Sequence, residues 1–201
     1  MKINEIKKEF PIFKKKINNK PLVYLDSANS SQKPNTVIKR MSYFYENEFS
    51  NVGRSVHSLA VTATNRFEET RDLVKNFINA KYREEIIFTK GATEGINLVA
   101  NSYGDKFINE GDEIILTELE HHSNYVPWHY LRETKGAIIK FAPINDDGDI
   151  IIEKLKELIT SKTKIIAVTH LSNVTGTIVP IKEIVEIARK KNIPVLVDGC
   201  Q

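Results

Sequence analysis

From about residue 86 onward, short apolar β-branched runs alternate with helix-patterned stretches, and this alternation constrains the fold more than any other feature. The runs are IIFT at 86–89, EIIL at 113–116, AIIK at 137–140, KIIAV at 164–168 and VLV at 195–197. Helical apolar spacing occupies the intervals near 93–105, 124–135, 150–160 and 182–192. Continuous apolar runs separated by helices predict strands buried on both faces, hence an α/β fold with a mostly parallel sheet and flanking helices. In such sheets ligands collect beyond the carboxyl ends of the strands, so the polar residues after each run are the ones to inspect.

The preceding segment reads differently. Residues 1–55 form an N-terminal arm with a short helix, an apolar strand-like LVYL at 22–25 and a polar turn at 26–31. Pro34 sits where a helix can begin, with Val37, Met41 and Phe44 at helical spacing, and a second amphipathic helix is expected from about Val56 to Ile78. Residues 56–201 are read as the first part of a larger sheet domain. At 41% hydrophobic and 27% charged residues the chain can bury a core. A net charge of +3, spread in short lysine runs, argues against nucleic acid. The single cysteine, Cys200, allows no internal disulfide. No segment reaches the roughly 18 apolar residues of a membrane span and the N-terminus has no signal-peptide core, so a cytoplasmic location is the expectation.

Four strand ends carry candidate chemistry. Gly91, Ala92 and Thr93 open a helix, where free N–H groups favour a phosphate, although a plain threonine cap reads the same way. His121 and His122 lie in a loop; without accompanying ligand spacing they read as a flat imidazole face or as exposed loop residues, and no metal site is expected. Asn173 offers donor and acceptor to a ligand, or caps its own turn. Asp198 ends an apolar run, where a carboxylate is costly without a partner. No G-x-G-x-x-G turn follows the first run, which disfavours a Rossmann-type nucleotide site.

These blocks stand in an order that resembles fold-type I pyridoxal-phosphate (PLP) enzymes of the class V aminotransferase branch, above all the Suf-type cysteine desulfurases. YLDSA at 24–28, SQKP at 31–34, FTKGATEGINLVA at 88–100, EHHSN at 120–124 with VPW at 126–128, SNV at 172–174 with Gly176, and VDG at 197–199 carry the resemblance across nearly the whole chain. It implies the large domain of that fold, incomplete here. It implies Ala92 and Thr93 at the cofactor phosphate, His121 stacked on the ring, Asp198 at the ring nitrogen, Gln201 at the ring hydroxyl and Asn173 beside it. Ala28, Asn173 and Arg54 are the implied substrate contacts.

The implied activity is removal of sulfur from L-cysteine, giving L-alanine and an enzyme persulfide for iron–sulfur cluster assembly. A homodimer and a sulfur-acceptor protein are the implied partners. The family's Ser-x-His-Lys block and mobile cysteine loop lie beyond Gln201, so this stretch alone is expected to be inactive, truncated and prone to aggregate at its sheet edge. Cys200 stands where the family has alanine and is read as a small packing residue. Gly53 replaces a family histidine, whereas Arg54 and His57 match. Other class V members, a selenocysteine lyase or an aminotransferase, and a non-catalytic remnant of the fold remain open.

Overall fold

A computed structural model describes residues 3–201. They form two compact units, residues 3–88 and 89–201.

The first unit is mostly helical. Helix α1 (Ile3–Lys8) leads through a 3-10 turn into a two-residue hairpin, β1 (Lys16–Ile17) and β2 (Lys20–Pro21). Asn18 and Asn19 make its turn with φ of 51° and 63°, a left-handed pair that asparagine tolerates well. The strand expected at 22–25 is absent: the last ladder bond runs from Leu22 N to Lys15 O at 3.2 Å, and residues 23–25 belong to no strand. Helix α2 (Asn35–Asn47) starts after Pro34 as expected. Helix α3 (Ser58–Phe77) is capped by His57, whose Nδ1 accepts from Ala60 N at 3.3 Å, and it falls within this first unit.

Residues 86–89 are likewise not a sheet strand. The Arg71 guanidinium donates to the Ile86 carbonyl and lies 5.1 Å from both the Phe67 and Phe88 ring centroids. Ile86 is buried while Ile87 and Phe88 remain exposed. An apolar run is therefore held by a cation and an aromatic edge contact instead of a backbone ladder.

The second unit meets the α/β expectation. Its sheet is fully parallel, in the order β4-β3-β5-β6, with β3 Glu113–Thr117, β4 Ile138–Ala142, β5 Thr163–Thr169 and β6 Val195–Asp198. The central strands alternate between two cores. Ile114, Leu116, Ile165 and Ala167 pack with Ile96 of α4 (Ala92–Val99) and with Trp128 and Leu131 of α6 (Val126–Lys135). Ile115, Ile166 and Val168 face the other way, against Leu155 of α7 (Ile152–Leu158) and Ile184 and Ala188 of α8 (Ile181–Arg189). Between α4 and α6 in sequence, a π-helical stretch at Ala100–Gly104 continues into the short helix α5 (Asp105–Phe107). Burial on both faces holds for β3 and β5 only. The outer strands β4 and β6 are partly exposed, because each has a neighbour on one side alone.

The amino end of β3 carries a buried carboxylate. Glu113 takes Lys140 Nζ at 2.7 Å, Thr160 Oγ1 at 2.7 Å and Thr163 Oγ1 at 3.1 Å. Burial pushes its pKa up, but the hydrogen bonds from Lys140, Thr160 and Thr163 outweigh that and hold it below the usual carboxylate range. A depressed folded pKa means that the contribution is complete above the unfolded value, about 4.3, and is lost as pH falls through the lower folded value. Glu113→Gln is expected to cost about 1 to 3 kcal/mol at neutral pH. In denaturant titrations across pH, the gap from the unsubstituted protein should narrow in acid; a gap independent of pH would contradict this assignment.

Candidate active site at the carboxyl ends of the strands

The crossovers set where a ligand can sit. The chain leaves β3 over one face through α6 to reach β4, then returns over the other face through α7 and α8 to β5 and β6. The loops after the neighbouring strands β3 and β5 therefore diverge to opposite faces and open a crevice between them, a topological switch point. His121 and Asn173 follow these two strands, and Asp198 closes β6 in register with Thr169 of β5.

Asp198 is 7% exposed. Its Oδ1 accepts Cys200 N at 3.1 Å, its carbonyl accepts His170 N at 2.9 Å, and no cation pairs with it among the described residues. A buried carboxylate served only by a backbone amide is suited to a cationic partner supplied from outside the chain.

His121 presents an exposed ring, set edge-on to His122 at 5.8 Å between centroids. Its Nδ1 accepts Ser123 N at 3.2 Å and lies 2.9 Å from Ser123 Oγ. An Nδ1 that accepts from a backbone amide carries its lone pair there, which assigns the ring proton to Nε2. One edge of the ring is thereby fixed while its face stays open.

Thr93 lies in the first turn of α4, exposed, with Ala92 half-buried before it. Gly91 provides no side-chain cap, and Glu94 folds back to accept Lys90 N at 2.5 Å. The first-turn N–H groups of α4 are thus left for an anion. Helix α4 also lies against the His122–Asn124 turn, which sets the helix start beside the histidine loop.

Asn173 occupies a tight turn, and the residue that caps that turn is its neighbour. Buried Ser172 Oγ accepts Val174 N at 3.3 Å and Thr175 N at 3.2 Å, Gly176 N closes back on Ser172 O at 3.0 Å, and Gly176 has φ of 75°. The half-buried Asn173 amide makes no hydrogen bond to another described residue and is free for a ligand.

Gln201 is exposed at the end of the β6 loop. Cys200 is exposed as well, contrary to the packing role expected from sequence: the chain leaves the core at Gly199. Ala28 and Arg54, the other expected contacts, belong to the first unit, where both are exposed. No cluster of three or more metal-ligating side chains occurs among the described residues. No helix among them is long and apolar enough to cross a membrane.

Residue-by-residue reading of the sequence missed Glu120, Asn124 and Trp128. Glu120 accepts from Thr117 Oγ1 (2.6 Å), Asn124 Nδ2 (2.6 Å) and Thr169 N (3.0 Å), and Asn124 Oδ1 accepts Trp128 Nε1 at 3.1 Å. Burial pushes the Glu120 carboxyl up from its ordinary value, the charge of Asp198 adds to this, and the three hydrogen bonds oppose it. The four-residue spacing of these three polar groups into the start of α6 was the available signal.

Residues 23–201 match the aminotransferase class-V family. The chain belongs to that family. This class-V chain is 49% identical over all its 201 residues to the "Probable cysteine desulfurase" of Halalkalibacterium halodurans, covering 50% of that protein. It is 46% identical over 199 residues to a cysteine desulfurase of Cronobacter sakazakii, covering 49% of it. Among solved structures, an apo cysteine desulfurase of Thermococcus onnurineus aligns over 100% of the chain and 48% of its own, with a TM-score of 0.91 and 34% identity. "SspA in complex with cysteine" aligns over 90% of the chain with a TM-score of 0.81 and 27% identity. The class-V chain spans about half the length of the curated relatives it matches.

If Ser172 carries the Asn173 turn, Ser172→Ala should cost about 1 to 3 kcal/mol, since two amides lose a common buried acceptor. Amide hydrogen exchange at Val174 and Thr175 should speed up while exchange in β3 is unchanged; unaltered exchange at both amides would rule the role out.

Proposed function

We propose that this chain supplies the cofactor-binding part of a Suf-type cysteine desulfurase, which removes sulfur from L-cysteine to leave L-alanine and passes it to an enzyme thiol as a persulfide for iron–sulfur cluster assembly. The observation that carries the reading is Asp198, buried at the carboxyl end of β6 without a cationic partner among the described residues. The donor set fits PLP: a carboxylate for a protonated ring nitrogen, an open imidazole face for an aromatic ring, and uncapped helix N–H groups for a phosphate. When bound, PLP supplies an electron sink for the carbanion formed at the substrate.

The chain's own residues would do the following. Asp198 would hold the proton at the ring nitrogen, which keeps the ring electron-withdrawing. His121, its Nδ1 occupied by Ser123, would stack on the ring and exclude water from that face. Ala92 and Thr93 would bind the phosphate through first-turn N–H groups and the Thr93 hydroxyl. Asn173 would orient the ring oxygen and the substrate carboxylate, and Gln201 would donate to the ring hydroxyl. Arg54 and Ala28 would contact substrate in the assembled protein. A homodimer, a sulfur-acceptor protein and a cytoplasmic location belong to the same reading, and the cysteine-bound relative is the comparison closest to the substrate assignment.

The test is PLP titration of the purified protein followed by visible absorbance, with product analysis on L-cysteine, selenocysteine and keto acids. In a protein that also carries the family's lysine block and cysteine loop, alanine from L-cysteine is the expected product, with none from residues 1–201 alone. Release from selenocysteine alone, or transamination, by that longer protein would move the chain to another class V activity. Asp198→Ala should weaken PLP binding about ten- to hundredfold, the worth of a charge-assisted hydrogen bond. Equal affinity in both proteins would remove Asp198 from the site.

A further inference from the structure

One buried carboxylate at the switch point has no part in the roles above. Glu120 joins three elements: Thr117 at the end of β3, Thr169 at the end of β5, and Asn124 on the turn that leads into α6. Through these elements it lies between the two groups that would flank a pyridine ring. His121 is its chain neighbour, and Asp198 is the register partner of Thr169, with His170 N on the Asp198 carbonyl. The far end of the chain of bonds is Trp128, the sole tryptophan, which is fully buried together with Asn124.

The direction of every bond in this chain is determined. Glu120 can only accept while ionised, so Asn124 presents Nδ2 to it and Oδ1 to the indole N–H. No second arrangement satisfies both ends. A glutamine at 120 keeps the size but sets its own NH2 group against Asn124 Nδ2. Turning the Asn124 amide to relieve this places Nδ2 against Trp128 Nε1–H, so one link is lost either way.

We infer that Glu120 is a positioning residue for the cofactor: by tying the His121 loop to the end of β5, it holds the stacking ring and the Asp198 carboxylate in one fixed arrangement about a bound pyridine. The inference rests on the PLP reading above. It differs from a purely structural role in what it predicts, because Glu113 offers a buried, multiply hydrogen-bonded carboxylate at the opposite end of the same strand.

The experiment compares the purified protein with Glu120→Gln and Glu113→Gln. Three quantities are read: PLP affinity, visible circular dichroism per bound cofactor, and Trp128 fluorescence before cofactor is added. Glu120→Gln should shift the tryptophan emission, weaken PLP about tenfold, the loss expected for one hydrogen bond to a charged group, and reduce the induced ellipticity. Glu113→Gln should lower thermal stability and leave the ellipticity and affinity as they were. Equal ellipticity and affinity in Glu120→Gln and the unsubstituted protein would overturn the inference, as would equal losses in the two variants. Should Glu120→Gln fail to fold, Thr117→Val removes one donor to Glu120, along with the acceptor of Leu119 N, with little change of shape. A smaller loss of ellipticity is then expected, and no loss overturns the inference. Absence of an induced visible circular-dichroism band and of saturable PLP binding in the unsubstituted protein would instead refute the PLP reading itself, before any variant is compared.

Discussion

The two central strands, β3 and β5, are buried on both faces, and most of what matters in the second unit follows from that. Apolar side chains from α4 and α6 cover one face and those from α7 and α8 the other, so polar groups are tolerated only at the strand ends. Two glutamates seven residues apart show the consequence. At the amino end Glu113 finds a lysine and two threonine hydroxyls, which hold its carboxyl below the usual range. At the carboxyl end Glu120 finds neutral donors and the charge of Asp198, and its carboxyl is pushed up. The first arrangement is that of a structural pair; the second leaves unbalanced negative charge around a crevice, as a cationic ring would require.

The crossovers convert that constraint into a site. Because α6 leaves over one face and α7 and α8 return over the other, nothing in the second unit's chain path closes the gap between the ends of β3 and β5. Side chains with little local reason to meet are gathered there from four loops. The Glu120–Thr169 hydrogen bond is the direct link across the gap, joining residues 49 apart in sequence.

The candidate site was readable to the extent that it lay at strand ends. Thr93, His121, Asn173 and Asp198 each follow an apolar run, which is visible without coordinates. The division of labour at 172–173 was not: serine and asparagine both cap turns, and only the geometry shows Ser172 taking the two amides while Asn173 stays free. Glu120, Asn124 and Trp128 were visible only as part of a family block, since hydrogen bonds between strand end, turn and helix leave no periodic trace beyond their four-residue spacing. Cys200 was misread because a small apolar residue beside a buried aspartate looks internal, whereas the chain has already left the sheet.

By itself the sequence determined the parallel α/β class, the positions of the four paired sheet strands and the helices between them, because β-branched runs and helical apolar spacing are local consequences of burial. It could not decide which apolar runs find a partner. The runs at 22–25 and 86–89 have strand composition yet form no strand: the first pairs no further than the Leu22–Lys15 bond, and the second is held by Arg71. Strand pairing requires a second chain segment at about 4.8 Å, and no property of a single segment carries that information. Likewise only the tertiary structure decided which polar side chains are satisfied within the chain and which stay free for a ligand, since hydrogen bonding is settled by three-dimensional neighbours.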